Sequence, residues 1–430
     1  MKTNLFLFPL TTAWLCLAAA PSPGADGLPY ANGQFRGRIA YSSDGNHNDP
    51  DDWIASPVAL AILAEAGLKD RLVHFNFNCI LPLTNPEWEK IHAESVLGAA
   101  ERYGFNRSLF FDCRTNLEAA VGDIAKAIDG SSAENPLYFI IAGPVEVPLR
   151  GLRKSDPAKR RFVYCLSHSR WNDGFASQYQ FTFNKRSVIE LGVNWVQIAD
   201  QNRLLSHSRY GQPARPAEFQ PFFWMRDARD PKVRWLWERM LVSTRPDPSD
   251  AGMMWFLATG DEECDPAKLK RLLEDRQPVH PVAARARVRI EAENFRHLEG
   301  FVLEDRKDRN ASHQLGVRLG AGKNRGSIRT PFAELYASDA GRCDVVVRCQ
   351  NGPGSRCRCA LLVAGVPQGD AWVSAGAGGG WQSHVIRGVQ IRGGDEIRVD
   401  AEGAEGRLDY VQLEFQAARE AEAGELKTKP

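Results

Sequence analysis

Residues 44–53 read DGNHNDPDDW, with four aspartates among ten residues. The preceding stretch, RIAYSS at 38–43, mixes apolar and hydroxylated side chains and is typical of a short β-strand. The following stretch is rich in Ala, Ile and Leu and predicts a helix from Pro50 to about Ala66. The aspartates therefore lie between the carboxyl end of a strand and the start of a helix, where α/β sheets bind their ligands.

The aspartates have two possible roles. Asp49 is the expected N-cap of the helix, Pro50 fits its first position, and Asp51 and Asp52 then lie in the first turn. The whole stretch could be an acidic turn that only caps a helix. However, four neighbouring carboxylates repel one another, and a hard cation with oxygen ligands relieves that repulsion. The Asp-x-Asp-x-Asp-Gly order of an EF-hand is absent.

Strands and helices alternate from about residue 38 to 275, which predicts a mainly parallel sheet covered by helices on both faces. The further strands are predicted in LVHFNFNCI (72–80), SLFFDC (108–113), PLYFIIAGP (136–144) and RFVYCLS (161–167). The further helices are predicted in WEKIHAESVLGAAERYG (88–104), in NLEAAVGDIAKAIDG (116–130) and from about Val145.

The aspartate stretch resembles the N-terminal motif of the nucleoside hydrolase superfamily, and most closely its divergent branch, whose motif runs Asp-x-Gly-Asn-x-Pro-Asp-Asp. In that superfamily a strand-end Asp and an Asp-Asp pair hold Ca²⁺. The resemblance implies a calcium site formed by Asp44, Asp51 and Asp52. It also implies a doubly covered α/β domain over residues 30–280.

The resemblance extends to later segments of this half. LYFIIAGPVEVPLRGL (137–152) resembles the family's strand-Gly-Pro-helix segment, RFVYCLSHSRWND (161–173) its next strand, FTFN (181–184) its sugar-binding triplet, and PSDAGMMWFL (248–257) its late His-Asp segment. The implied roles are a metal-binding carbonyl at Ala142, a last metal carboxylate at Asp250, and sugar-binding amides at Asn78, Asn172 and Asn184.

Three departures from the family pattern bear on the substrate. The spacing from Asp44 to Asp51 is longer than in true nucleoside hydrolases. Ser249 stands where purine-active members have a His that helps the base depart, and Thr182 stands where a Glu contacts ribose. These changes argue against a nucleoside substrate but leave the metal ligands in place.

Asp44 is the candidate general base, because a strand-end carboxylate could take a proton from a water that the metal activates. Asp49 is its rival, although helix capping alone explains Asp49. His47, His168 and His207 are predicted in loops or at strand ends; any could enter the pocket, although a solitary loop histidine is more often solvated. His47 is kept as a candidate substrate-binding residue.

The composition changes near residue 276. RQPVHPVAARAR (276–287) has two prolines and no apolar period, which is typical of a linker. Short alternating strands with Gly-rich turns follow and predict an all-β jelly-roll sandwich over residues 285–418. IEAENF (290–295) and LDYVQLEF (408–415) resemble the ends of carbohydrate-binding modules of families 6 and 35.

This second resemblance implies a structural Ca²⁺ held by Glu291, Glu293 and Asp409 where the first and last strands meet. Outward charges on alternating strand positions would also explain the Glu-x-Glu spacing. Stacked aromatics and amide hydrogen bonds suit sugars, which makes Asn351, Trp372 and Trp381 candidates for the sugar surface. Trp381 could equally belong to the core.

Composition and targeting signals limit the possible partners. The chain has 430 residues, 43% hydrophobic and 25% charged, with a formal net charge of +1, so two ordinary domains are expected and nucleic acid is not. Residues 1–25 have a lysine, an apolar core and a small-residue end, which predicts a signal peptide and a secreted or periplasmic protein. No later stretch is apolar for long enough to span a bilayer. Residues 419–430 are expected to be a frayed tail.

Cys343, Cys349, Cys357 and Cys359 fall within 17 residues. Export permits a disulfide between neighbouring strands, and zinc is the alternative, although no CxxC pair is present. The remaining cysteines after Cys16 lie in or beside apolar runs and are expected to be buried thiols.

The sequence as a whole predicts a secreted, Ca²⁺-dependent hydrolase of glycosidic or N-glycosidic bonds that its sandwich directs to a polysaccharide. The alternative from another class is a non-catalytic glycan-binding protein whose α/β domain has kept the metal and lost the chemistry. A true nucleoside hydrolase is the weakest of the three, because a polysaccharide-binding module has no evident use there.

Overall fold

The computed structural model describes residues 29–31, 33–47, 49–173, 183–207, 212–282, 284–304, 308–337, 340–352, 355–374 and 380–416. The predicted signal peptide, the tail from residue 419 and Thr182 lie outside these ranges. No helix in the described part of the chain is long and apolar enough to cross a membrane.

The first part of the chain alternates strands and helices, as its sequence predicts. Its strands are β1 (Tyr30–Ala31), β2 (Gln34–Phe35), β3 (Arg38–Ser43), β4 (Leu72–Phe77), β5 (Phe110–Asp112), β6 (Leu137–Ala142), β7 (Val163–Ser167) and β8 (Asn194–Gln197). Its helices are α1 (Asp52–Glu65), α2 (Pro86–Arg102), α3 (Leu117–Asp129), α4 (Glu146–Lys154), α5 (Arg170–Asp173), α6 (Lys185–Ile189), α7 (Asn202–Leu205), α8 (Phe223–Arg226), α9 (Pro231–Ser243), α10 (Ala251–Thr259) and α11 (Pro266–Leu273).

The main sheet of this part has the order β5-β4-β3-β6-β7-β8, and every neighbouring pair in it is parallel. The chain moves outward from β3 to β4 and β5, then crosses back to β6 on the other side of β3. This is the doubly wound order, in which ligands bind where the winding reverses. The reversal falls between the carboxyl ends of β3 and β6.

The sheet is buried on both faces because successive side chains of each strand point to opposite sides. On β3, Ile39 and Tyr41 belong to one apolar core and Ala40 to the other. The first core also contains residues of α1, α2, α9 and α10, and the second contains residues of α3 and α4. Because helices cover both faces of the sheet, a polar site can form only at the ends of its strands.

The start of α1 differs from the sequence prediction. The helix begins at Asp52, Asp51 is its N-cap with no side-chain capping bond, and Pro50 and Asp51 form a turn. The predicted N-cap, Asp49, therefore lies two residues before the actual cap. Pro57, one helical turn into α1, is tolerated within a wholly buried segment.

The second part of the chain is an antiparallel β-sandwich, as predicted. Its strands are β9 (Arg287–Glu291), β10 (His297–Glu299), β11 (Phe301–Leu303), β12 (Val317–Leu319), β13 (Arg325–Pro331), β14 (Ala340–Gln350), β15 (Cys357–Val363), β16 (Val366–Pro367), β17 (Trp372–Val373), β18 (Gln382–Arg392), β19 (Glu396–Gly403) and β20 (Arg407–Phe415). One sheet has the order β10-β13-β19-β15-β16 with β17 on β15, and the other has β11-β12-β20-β14-β18 with β9 on β20.

The sandwich packs directly against the α/β part. Leu335 and Tyr336, from the loop after β13, are buried within the apolar core of the α/β part. The Tyr336 hydroxyl donates a 2.8 Å hydrogen bond to the Leu257 carbonyl oxygen, and its ring lies 5.5 Å from that of Phe256. The two parts therefore share one apolar core at this point.

Candidate acidic site at the carboxyl edge of the sheet

Asp44 directly follows β3 and is 2% exposed. Its backbone N–H donates to the Ala142 carbonyl oxygen at 3.1 Å, which fixes it against the end of β6. Gly143 permits this approach, because a Cβ there would lie 3.0 Å from the Asp44 Cβ. Gly143 also has φ +147°, a conformation that L side chains rarely adopt. The Gly-Pro turn thus makes room for Asp44 at the point where the winding reverses.

Asp52 is held by hydrogen bonds on both carboxylate oxygens. The Ser43 hydroxyl lies 2.9 Å from Oδ1, and the Gly45 N–H donates to Oδ2 at 3.1 Å. Ser43 also contacts the hydroxyl of Ser56 at 2.8 Å and Nε2 of His92 at 3.1 Å. Burial lowers the pKa of His92 to about 3, so this imidazole is neutral and brings no positive charge. The Asp52 carboxylate is therefore rigidly placed at the start of α1.

Asp51 lies beside a second buried acid, Asp247, which precedes α10. The Ser206 hydroxyl and the Ser249 N–H both donate to Asp247. Arg245 is the nearby cation, with its Nη1 3.8 Å from Asp51 Oδ1. Burial raises the pKa of Asp51 well above its usual value, and the charge of Asp247 adds to that effect. The Arg245 guanidinium partly opposes that rise in the pKa of Asp51.

Asp250, the N-cap of α10, pairs with His168 at the end of β7. His168 Nε2 lies 2.7 Å from Asp250 Oδ1, and its Nδ1 lies 3.2 Å from the Gln201 N–H and 3.5 Å from Asp200. Burial disfavours the charged imidazole, but hydrogen bonds to Asp200 and Asp250, with their charges, outweigh it and raise the pKa of His168 to about 10. His168 is therefore held between Asp200 and Asp250 at the edge of the cluster.

Asp44, Asp51, Asp52, Asp247 and Asp250 together form the acidic cluster. Burial is the largest influence on Asp44 and raises its pKa to about 6, with the charge of Asp250 adding to the rise and a hydrogen bond to Asp52 opposing it. Among the described residues, buried oxygens without a hydrogen-bond partner include Oδ2 of Asp44 and Oδ1 of Asp51. The cluster thus places five buried carboxyl groups together, with one histidine beside Asp250 and one arginine beside Asp51.

The donor chemistry of this cluster suits a hard cation, because carboxylate oxygens are the ligands that Ca²⁺ prefers and two of them lack partners. As the side chains stand, no group of three or more His, Cys, Asp or Glu in the described ranges is positioned to hold a metal ion. Cation binding at this cluster would therefore require some of its carboxylates to rotate.

The structure brings some of the other predicted site residues to this edge. The Ala142 carbonyl lies at the cluster but already accepts the Asp44 N–H. Asn172 is buried after β7 and donates to the Ile141 carbonyl oxygen at 3.3 Å. His47 lies in the loop after Asp44, and its Nδ1 is buried without a partner.

Two predicted sugar-binding amides are occupied within the protein. Asn78, at φ +59°, donates to the Glu89 carbonyl and the Asp112 carboxylate, both at 3.1 Å, and contacts His92 at 2.9 Å. Both of its amide hydrogens are therefore engaged. Asn184 is the N-cap of α6, and its Oδ1 accepts the Arg186 N–H at 2.9 Å. The contacts that the structure gives to both side chains are structural ones.

Asp247 and Arg245 belong to the site although the sequence prediction did not include them. His168, named in the sequence analysis only as one of three histidines that could enter the pocket, belongs to it as well. For His168 the sequence does contain a signal, since it follows the strand RFVYCLS just as Asp44 follows RIAYSS. Asp247 and Arg245 lie in the loop between α9 and α10, where no strand end marks them. Only the fold brings that loop to the start of α1.

The three predicted calcium ligands of the sandwich do lie together. Tyr410, next to Asp409, pairs with Glu291 across β20 and β9. Ser312 contacts both acids, through its hydroxyl to Glu291 at 2.8 Å and its N–H to Asp409 at 2.9 Å. The second oxygen of Asp409 accepts from Arg348 at 2.6 Å, and Glu293 accepts from Lys185 at 3.1 Å. These carboxylates thus already contact cationic side chains.

The predicted sugar-surface residues differ in exposure. Trp372 is 8% exposed and stacks on His384 at 4.3 Å, and the Asn351 amide bonds the Ser374 carbonyl and the Cys357 N–H within the sandwich. Trp381 is partly exposed, and its Nε1 donates to Asp308 at 3.1 Å. The guanidinium groups of Arg407 and Arg348 lie 4.7 and 5.5 Å from its ring centroid. Of the three residues, Trp381 is the one placed to meet a ligand.

The cysteines of the described residues are all free and buried. The expected disulfide is therefore absent from this structure, and the four cysteines of the sandwich belong to its apolar core. The expectation of buried thiols in the first half is confirmed for Cys79, Cys113, Cys165 and Cys264.

These features define a chain with a doubly wound α/β part, an acidic cluster at its winding reversal and an antiparallel sandwich. No family model matches it. It is 31% identical over 244 residues to uncharacterized protein P22 of Formosa agariphila, in an alignment that covers 52% of this chain and 84% of that protein. The chain belongs to the same family as that protein.

Solved structures similar to the C-terminal part of this chain include carbohydrate-binding modules. A family 35 module of Clostridium thermocellum shows 20% identity and a TM-score of 0.26, covering 31% of this chain and 100% of that one. The family 6 module of a Zobellia galactanivorans laminarinase shows 16% identity and a TM-score of 0.23, covering 30% and 98%. A family 26 mannanase of Podospora anserina with a family 35 module shows 15% identity and a TM-score of 0.25, covering 30% of this chain and 28% of that one.

Proposed function

We propose that the protein is a Ca²⁺-dependent hydrolase of glycosidic or N-glycosidic bonds, secreted or periplasmic, with its reactive centre at the acidic cluster. The observation that carries this proposal is the gathering of five buried or nearly buried aspartates at the winding reversal, with an unpaired oxygen on Asp44 and on Asp51. Burying this many carboxylates destabilises a fold unless charge balances them, and active sites are where such arrangements recur.

Asp44 is the candidate general base. Its carboxylate has a buried, unpaired oxygen, and a pKa near 6 is close to that of a base working at neutral pH. Asp52 is fixed beside Asp44 through Ser43 and Gly45. Burial raises the pKa of Asp52 well above its usual value, and the hydrogen bond with Asp44 adds to that rise, so Asp52 can donate a hydrogen bond to the Asp44 carboxylate. His47 and Asn172, both assigned to substrate from the sequence, would orient substrate hydroxyls.

The cation would be held by Asp44, Asp51, Asp52 and Asp250, with the Ala142 carbonyl beside them. When bound, calcium would lower the pKa of a coordinated water and orient it. His168 pairs with Asp250 and Arg245 lies near Asp51, so these two side chains would fix the carboxylates that they contact.

The sandwich is proposed to bind the carbohydrate. A partly exposed Trp381 beside Asp308, Arg348 and Arg407 combines an aromatic face with hydrogen-bonding groups, which suits sugar rings and their hydroxyls.

The decisive experiment is a hydrolysis screen of the full chain on glycans and nucleosides, with calcium and with a chelator. We expect release of reducing sugar from at least one glycan and its loss on chelation. Hydrolysis that is unaffected by chelation would contradict the metal dependence. Cleavage of nucleosides alone would contradict the glycan assignment.

A second candidate function is that of a glycan-binding protein without catalysis. Two observations favour it: Ser249 stands where purine-active nucleoside hydrolases have a histidine, and Asn78 is engaged within the protein. Glycan binding by the full chain with no hydrolysis of any substrate in the screen would support this alternative.

A further inference from the structure

Helix α6 of the α/β part contacts the sandwich through two cationic side chains. Lys185 is 3% exposed, and its Nζ lies 3.1 Å from Glu293 Oε1 in the sandwich and 3.7 Å from Asp173 Oδ2 in the α/β part. Asp173 and Glu293 are themselves 1% and 0% exposed. A buried ammonium therefore lies between one buried carboxylate of each part.

Arg186 binds the sandwich next to this ion cluster. Its guanidinium donates to the carbonyl oxygens of Glu293 at 3.3 Å, Phe295 at 2.6 Å and Arg296 at 2.5 Å. Arg296 donates in return to the Asn194 side chain at 2.8 Å. Partly buried, multiply bonded groups such as these order an interface because each is costly to leave unpaired.

The calcium ion predicted in the sandwich fits these contacts poorly. Both oxygens of Asp409 are bonded, to Ser312 and to Arg348, and one oxygen of Glu291 is bonded to Ser312. The oxygens left without a partner are Oε2 of Glu291 and Oε2 of Glu293. Ca²⁺ takes about six to eight oxygens, and the ammonium on Glu293 would repel a second cation.

The geometry points to Lys185 as the cation that completes the carboxylate cluster of the sandwich, in place of the predicted calcium ion. The sandwich is consequently docked permanently on the α/β part rather than carried on a flexible linker. The burial of Leu335 and Tyr336 in the α/β core accords with a fixed arrangement. This inference stands whether or not the acidic cluster is catalytic.

The docking also reaches the acidic site. Asp173, which contacts Lys185, accepts a 2.6 Å hydrogen bond from Ser167, and Ser167 precedes the His168 that pairs with Asp250. Lys185 thus contacts the carboxylate that is bonded to the last residue of β7.

The number of calcium ions bound per chain tests whether Lys185 replaces calcium at the sandwich carboxylates. In the full chain, Asp51→Asn and Asp250→Asn remove two predicted ligands of the acidic cluster. The predicted calcium ligands of the sandwich, Glu291, Glu293 and Asp409, remain unchanged. Equilibrium dialysis against about 10 mM Ca²⁺, above the roughly 10⁻⁴ to 10⁻³ M dissociation constants of extracellular modules, should find well under one ion per chain. About one ion per chain in this variant would overturn the inference. Failure of the unsubstituted chain to bind calcium would instead count against the proposed function.

Thermal unfolding of the full chain tests the role of Lys185 in docking. Lys185→Met leaves buried carboxylates unpaired and should lower the midpoint by on the order of 10 °C. The exposed control Lys154→Met should change it by about 2 °C or less. Adding Glu293→Gln to Lys185→Met removes the unpaired charge and should restore part of the loss. A midpoint for Lys185→Met as close to the original as that of the control would overturn the inference.

Discussion

The backbone N–H of Asp44 donates a 3.1 Å hydrogen bond to the carbonyl oxygen of Ala142. The two residues belong to the ends of β3 and β6, which are far apart in the chain but adjacent in the sheet. This one bond joins the aspartate stretch to the Gly-Pro turn and so fixes the candidate base at the winding reversal.

Gly143→Ala should disturb that junction. The added methyl group would lie 3.0 Å from Asp44 Cβ and 3.1 Å from its Cγ, in a backbone conformation that alanine rarely adopts. We expect a loss of stability of roughly 1–3 kcal/mol and a loss of hydrolysis beyond what instability explains. Urea unfolding and activity at a temperature where the variant is folded provide the two measurements. Gly67→Ala, with φ +71° and open space around it, is the matched control for backbone strain alone.

Asp44→Asn should remove the proton acceptor while keeping its shape. General base catalysis is worth about 10²- to 10⁴-fold, so kcat at saturating calcium should fall by at least that lower value. Glycan binding through the sandwich should not change. Activity that survives in Asp44→Asn but is lost in Asp49→Asn would transfer the role of base to Asp49.

Calcium should stabilise the full chain through the acidic cluster. At about 100 times Kd, one bound ion stabilises by about 2.7 kcal/mol, because it binds the folded state selectively. Asp51→Asn should diminish this gain, whereas Asp70→Asn, an exposed substitution, should leave it intact. Urea unfolding with calcium and with chelator measures the difference. A calcium effect that Asp51→Asn does not reduce would show that the ion binds elsewhere.

The two sandwich tryptophans should respond differently to replacement by alanine. Trp372 is buried against His384, so Trp372→Ala should cost about 3–5 kcal/mol of stability. Trp381→Ala should instead weaken glycan binding, by roughly 1–3 kcal/mol if the ring stacks on sugar as aromatic rings stack on bases. Titration calorimetry of the folded variants with a soluble glycan measures the change in affinity. Unchanged affinity in Trp381→Ala would remove that residue from the sugar surface.

Stability should depend on pH through Glu334, a buried carboxyl beside Arg285 and Glu262. Burial raises the pKa of Glu334 from 4.5 to about 8, against the influence of Arg285. The folded state therefore keeps the proton that the unfolded chain releases above pH 4.5, and stability is lost as pH rises from 4.5 to 8. Glu334→Gln should remove about 4 kcal/mol of that decline. Identical pH dependence in the two proteins, by urea unfolding at pH 5 and 8, would contradict the assignment.

The sequence predicted the fold well where one local pattern determined the element. The β6 strand is a continuous apolar run, LYFIIA, and α2 carries its own N-cap, Asn85, and ends before Gly104. The start of α1 was predicted less well. Asp49 and Pro50 satisfy the local rules for a helix start, but Asp52 is instead fixed by Ser43 and Gly45 from the neighbouring strand end.

Only those site residues that directly follow a recognisable strand could be predicted from the sequence. Asp44 is visible in the sequence because it ends a clear strand, whereas Asp247 and Arg245 reach the cluster through the packing of α9 and α10 on α1. The roles of Asn78 and Lys185 depend on partners distant in sequence, such as Asp112 and Glu293. No local pattern encodes such pairings.

The pairing of β9 with β20 has a consequence for protein engineering. Glu414 pairs with Arg287 at the end of this ladder, and the Phe415 N–H bonds the Ala286 carbonyl at 2.8 Å, so the sandwich is entered and left at adjacent points. Such a unit could be inserted as a cassette into a surface loop of a host protein without stretching either junction. The recipient surface would, however, need a cation to meet Glu293, since a graft that left Lys185 behind would bury that carboxylate without its counter-ion.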